Sequence, residues 1–127
     1  MSDFNCQHNR AVWFDIPVAD LDRAAKFYRA VLGVGVKKET YGEMSFCVID
    51  HQDGNGGCLV HNKEEIAAGG VLIYLNADSR IQDAVGKVVP NGGTVIEPTH
   101  SIGPHGFRAV VLDSEGNCIA LHSTTDA

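Results

Sequence analysis

Four side chains have the types and spacing to do chemistry together. Trp13 and Asp15 stand two apart in "VWFDIPV", Arg108 lies in "GFRAVVL", and His122 lies in "CIALHS". Alternate residues of a strand share a face, so Trp13 and Asp15 look the same way, while Phe14, Ile16 and Val18 look the other. The second pair is joined by a turn. "DSEG", Asp113 to Gly116, fits a type I turn followed by a left-handed glycine, which closes a three-residue hairpin loop. That register sets Asp113 opposite Asn117, Val110 opposite Ala120 and Arg108 opposite His122, with Phe107, Ala109 and Val111 turned to the core. A carboxylate, a guanidinium and an imidazole on one concave face orient a polar ligand, and Trp13 supplies an aromatic wall. Asp15 and His122 are also the side chains able to act as general bases there. A second reading stays open, in which Asp15 and Arg108 form a structural ion pair and Trp13 plugs the space.

Other chemistry is weaker. Cys6, Cys47, Cys58 and Cys118 contain no C-x-x-C pair, and three of them fall in apolar, strand-like segments, which suits reduced, buried thiols. The histidines His8, His51, His61, His100, His105 and His122 are scattered. His100 and His105 have a spacing found in zinc sites, without the usual cysteine pair. "GVG", Gly33 to Gly35, follows a helix instead of opening one, and "GNGG" has no lysine to reach a phosphate. Cys58 with a distant histidine is a poor nucleophile pair.

The elements that position these residues are legible. Asp20 is an N-cap, Asp22 suits the first turn, and Gly33 stops a helix whose Leu21, Ala24, Ala25, Tyr28, Val31 and Leu32 form one apolar face. A second helix is expected from Asp78, with Ile81, Ala84, Val85 and Val88 inward and Pro90 and "NGG" at its end. Strands are expected at 11–18, 34–39, 44–50, 58–61, 71–76, 93–97, 107–112 and 118–122. The pieces repeat. Asp20 and Asp78 are 58 positions apart, and Asn55 and Asn117 are 62 apart, so the chain reads as two strand-helix-strand-strand-strand modules, about 10–62 and 70–123. Neither half buries both its helix and its sheet alone, so 1–127 is one domain.

Composition sets the outer bounds. The 127 residues allow one domain with a real core, and 44% apolar and 20% charged residues are globular values. A formal net charge of −6 opposes a nucleic-acid partner. No apolar run is long enough to span a membrane, and Met1 to Asn5 does not read as a leader, so a cytoplasmic protein is expected.

In several of these segments the chain resembles the vicinal oxygen chelate superfamily of glyoxalase I, extradiol dioxygenases and bleomycin-resistance proteins. The resemblance is carried by "IPVADLDRAAKFYRAVLG" (Ile16 to Gly33), "NGG" (Asn91 to Gly93) and "GFRAVVLDSEGNCIALHS" (Gly106 to Ser123). It implies an α+β fold of two βαβββ modules, their mixed sheet curled around a central cavity, commonly in a homodimer. Enzymes of that superfamily mostly hold a divalent metal with four His, Gln or Glu side chains. Here those slots fall on Trp13, Cys58 or a neighbour, Val71 and Ala120, so no metal or other cofactor is expected. The resemblance then implies a small-molecule binder of the bleomycin-resistance type, with Trp13, Asp15, Cys58, Arg108 and His122 on the ligand. The alternative is a lyase or isomerase with Asp15 or His122 as general base and Arg108 steadying an oxyanion. An accessory domain acting through its surface is a third possibility, and no charge run or exposed apolar stripe in the sequence points to it.

Overall fold

Helix α1 (Leu21–Leu32) begins where the Asp20 carboxylate accepts the Arg23 N–H at 3.0 Å. It ends where Gly33, at φ +66°, returns its own N–H to the Arg29 carbonyl. Both ends are those expected, because each orphan backbone group has a side chain or a glycine to satisfy it. Its inward face, Ala24, Ala25, Phe27, Tyr28, Val31 and Leu32, is buried. The computed structural model describes residues 10–127. Cys6, His8 and the N-terminal stretch read for a leader lie outside the described residues.

Around α1 the first module places β1 (Trp13–Val18), β2 (Val36–Tyr41), β3 (Met44–Ile49) and β4 (Gly56–His61) in the order β1-β4-β3-β2. β1 runs parallel to β4, and the other pairs are antiparallel. The second module repeats this with β5 (Ile73–Asn76), α2 (Ile81–Gly86), β6 (Thr94–Ser101), β7 (Phe107–Leu112) and β8 (Cys118–Ser123), in the order β5-β8-β7-β6. The fold is α+β, as expected. Each βαβββ module contributes a four-stranded mixed sheet, and neither sheet closes.

Four local expectations need correction. α2 starts at Ile81, not Asp78, and is only six residues long before a 3-10 turn at Val89–Asn91. Asp78 does not cap it. Its carboxylate instead takes the Thr124 N–H (2.6 Å) and hydroxyl (2.7 Å), so it anchors the chain after β8. β5 starts at Ile73, leaving Val71 outside the strand, and β6 runs on to Ser101 through irregularities between Val95 and His100. Phe107 is only half-buried, while Ala109 and Val111 join the core as expected.

One apolar core takes residues from both modules, including Ile16, Phe27, Val31 and Leu59 from the first and Leu75, Ile81, Val111 and Ile119 from the second. The β7–β8 hairpin fastens them together. Asp113 accepts the buried Tyr28 hydroxyl at 2.6 Å, and Asn117 Nδ2 donates to the Pro17 carbonyl at 2.7 Å. Glu115 receives the N–H groups of Ala19 and Asp20 at 3.0 Å each, and Arg23 Nε and Nη2 at 2.7 Å each. Each helix covers one face of its own sheet; among the described residues no helix covers the opposite, open faces, although Cys58, Val110, Ala120 and His122 on them are buried.

Candidate functional site

Strand alternation sorts β1 as the sequence implies. Ile16 and Val18 are buried against the helices, whereas Trp13 and Asp15 are exposed on the open face, Trp13 by 44%. Register carries the row across the sheet: Asp15 pairs with Cys58, Cys58 with Val48, and Val48 with Lys37. The approach of β4 to β1 is close enough that a Cβ on Gly57 would meet the Phe14 ring and carbonyl at 2.5 Å, so only glycine fits. Cys58 donates its thiol to Asp15 Oδ1 at 3.2 Å. Burial first, and then that hydrogen bond, push the thiol up to about 11, so Cys58 is a thiol at neutral pH and a poor nucleophile. Trp13 packs edge-on against His51, with ring centroids 5.6 Å apart. His51 and Val48 also line a crevice of about 670 Å³ with Lys37, Glu39 and Asp50.

The second open face carries Arg108 and His122 in the expected register. His122 is buried, and its Nε2–H donates to the His105 carbonyl at 2.7 Å. Arg108 donates from Nη1 to the Tyr74 hydroxyl at 2.6 Å and from Nε to His100 Nε2 at 3.2 Å, with its guanidinium 6.0 Å from the Tyr74 ring. Tyr74, Asn76, Asp78 and His122 line a cleft of about 360 Å³.

The expected quartet is therefore two pairs on two sheets. Asp15 lines a small cleft of about 190 Å³ with Pro17, Val71, Ile73 and Cys118, apart from the cleft of His122. The structural ion pair between Asp15 and Arg108 does not form, because Asp15 receives Cys58 and Arg108 is engaged by Tyr74 and His100. Sequence reading missed Tyr74 and His51. Tyr74 was detectable: in "VLIYLN", Ile73 and Leu75 alternate inward and Tyr74 and Asn76 outward. His51 sits in a loop and carries no periodic signal.

This arrangement defines a class, an open-faced pair of βαβββ modules, and the comparisons agree with it. The family described as Bleomycin resistance protein-like N-terminal matches residues 10–48. A glyoxylase-like domain-containing protein of Didymella fabae is 29% identical over 121 residues, covering 90% of this chain and 93% of its own. Among solved structures, a glyoxalase/bleomycin resistance protein from Albidiferax ferrireducens T118 superposes with a TM-score of 0.69 at 20% identity, covering 91% of this chain and 98% of the other. TnmS3, an antibiotic binding protein from Streptomyces sp. CB03234, gives 0.66 at 20% identity, covering 94% and 98%. The resemblance to the glyoxalase/bleomycin-resistance/dioxygenase superfamily, read from the α1 signature and the last hairpin, stands.

The metal of that superfamily's enzymes does not fit the residues present. Trp13 offers an indole, Cys58 a single thiol, and Ala120 a methyl group, while Val71 is a hydrocarbon 89% exposed ahead of β5. Among the described residues, no group of three or more His, Cys, Asp or Glu side chains is placed to hold an ion.

Proposed function

We propose that the protein binds a small organic molecule without a metal ion, on the open sheet faces, as a cytoplasmic homodimer. The observation that carries this reading is Trp13: a large aromatic ring left 44% exposed on a sheet face, braced by His51 beside the Asp15–Cys58 pair. An aromatic ring held by its neighbours and left uncovered is ready to stack on a ligand at little entropic cost. Arg108 and His122 offer polar contacts on the second sheet. The superfamily likeness and the antibiotic binding protein among the structural neighbours support small-molecule binding. Tyr41 and Met44, paired across β2 and β3 and 81% and 61% exposed, support a second copy covering part of this face.

Trp13 is the sole tryptophan, so its fluorescence reports the site directly. Screening a metabolite and antibiotic set by thermal shift and Trp13 quenching is expected to find a compound that stabilises the metal-stripped protein and is recovered unchanged. Trp13→Ala should weaken that compound about tenfold or more. Unchanged affinity in the variant, or binding that needs added divalent metal, would overturn the reading. Consumption of the compound, abolished by His122→Ala, would replace it with the lyase or isomerase alternative.

A further inference from the structure

We propose that the open face of the second sheet is an oxyanion subsite centred on Arg108, so that the molecule bound carries a carboxylate, phosphonate or similar group. This rests on the small-molecule reading above and specifies its chemistry. Register places Asn76, His122, Arg108 and His100 in one row across β5, β8, β7 and β6. The guanidinium at the centre of that row is held by hydrogen bonds, and the Glu97 carboxylate acts on it only from beyond ion-pair distance. Its two side-chain partners are a tyrosine hydroxyl and an imidazole. His100 accepts at Nε2, so its proton is assigned to Nδ1, which lies 2.8 Å from the Pro98 carbonyl and donates to it. Both partners are therefore neutral acceptors.

Four other cations are ion-paired, whereas Arg29, like Arg108, has no carboxylate partner among the described residues and donates to the Val36 carbonyl. Arg23 pairs with Glu115, Lys38 with Asp22, and Arg80 and Lys87 with Asp83. Acidic residues outnumber Lys and Arg by 16 to 10. Even so, among the described residues no carboxylate forms an ion pair with Arg108, and Glu97 comes only to 4.0 Å from His100. An arginine has five N–H donors. With Nε on His100 and one Nη1 hydrogen on Tyr74, one Nη1 and two Nη2 hydrogens remain as the fork of donors for the oxygens of an oxyanion. Tyr74 and His100 fix the plane of that fork, which lowers the entropy lost on binding. A sheet face partly screened from water makes the charge-assisted bonds stronger than at an open surface.

The test titrates the intact protein with phenylphosphonate and with benzamide, an uncharged aromatic of similar size. Calorimetry gives affinities, and the arginine ¹⁵Nε–H resonances report which guanidinium is touched. Phenylphosphonate is expected to shift the Arg108 Nε–H signal. Its affinity should fall about tenfold or more in Arg108→Gln. Arg108→Lys keeps the charge and loses the fork, and is expected to recover only part of the affinity. Benzamide should be indifferent to all of these changes. Equal phenylphosphonate affinity in wild type and Arg108→Gln would overturn the proposal, as would an unmoved Arg108 signal at saturation. Should Arg108→Gln not fold, the wild-type resonance shift decides. If phenylphosphonate fails to bind while an uncharged compound still quenches Trp13, the oxyanion subsite is wrong and the small-molecule reading survives. If no compound of either kind binds, both fall.

Discussion

Cys58 shows how one neighbour decides a residue's chemistry. Its thiol is buried and donates to Asp15, and both effects favour the protonated form. Alkylation by iodoacetamide at pH 8, followed by peptide mass spectrometry, should therefore be slow at Cys58 in the folded protein and fast after denaturation. Asp15→Asn removes the negative charge that opposes the thiolate, so labelling of Cys58 should accelerate; an unchanged rate would mean that burial alone governs the thiol. Tyr28 illustrates the complementary case. Its hydroxyl is buried on Asp113, and burial together with that carboxylate raises its pKa well above the usual range, so it remains a donor at any working pH. Tyr28→Phe leaves a buried carboxylate one donor short and is expected to cost about 1–3 kcal/mol in urea unfolding.

At the level of elements, the β7–β8 turn acts as a latch on the start of α1. The Glu115 side chain is fully enclosed, and burial alone would raise its pKa. Arg23, Ser114 and the N–H groups of Asp20 and Ala19 outweigh that and hold it at about 2. The ordinary value of 4.5 applies in the unfolded chain, so the unfolded state binds the proton first. The stabilisation is complete above pH 4.5 and is lost as pH falls through the interval down to 2. Arg23 is half-exposed, which screens its share, so the latch is worth on the order of 2 kcal/mol. Glu115→Gln should lower stability at pH 7 by about that amount and flatten the acid limb of the pH–stability curve. An acid limb identical to wild type would show that other carboxylates carry it. The close approach of β1 and β4 gives a sharper steric test. Gly57→Ala drives a Cβ into the Phe14 carbonyl at 2.5 Å, where backbone cannot swing aside, and is expected to cost more than about 2 kcal/mol.

For the whole molecule, the shared core and the latch make the modules interdependent. Trp13 reports the first module and far-UV dichroism reports both, so the two signals should lose structure at the same urea concentration. A fragment of residues 1–66 exposes the inward face of α1 that the second module covers, and is expected to be unfolded by itself. Separate transitions would show two independent domains.

How much of this was legible depends on the range of the interactions involved. The caps of α1, the inward face of the helix and the register of the last hairpin were readable, because Asp20, Gly33 and Gly116 act within a few residues of themselves. The facing of Trp13, Asp15, Arg108 and His122 followed from the two-residue period of a strand once the strands were located. That alternation was not applied to β5, where it turns Tyr74 outward, and no such period governs α2, where Asp78 was read as opening the helix. Thr124, distant in sequence, claims that carboxylate, and no local pattern records the competition. By itself, then, the sequence determined the two-module plan, the helix-facing sides and the residues of the open faces, since these rest on short-range periodicity and turn chemistry. Only the tertiary structure decided which polar groups meet: Asp15 with Cys58, Arg108 with Tyr74 and His100, Glu115 with Arg23. Those pairings depend on the distances between strands and modules brought together by one shared core, and backbone periodicity carries no information about them.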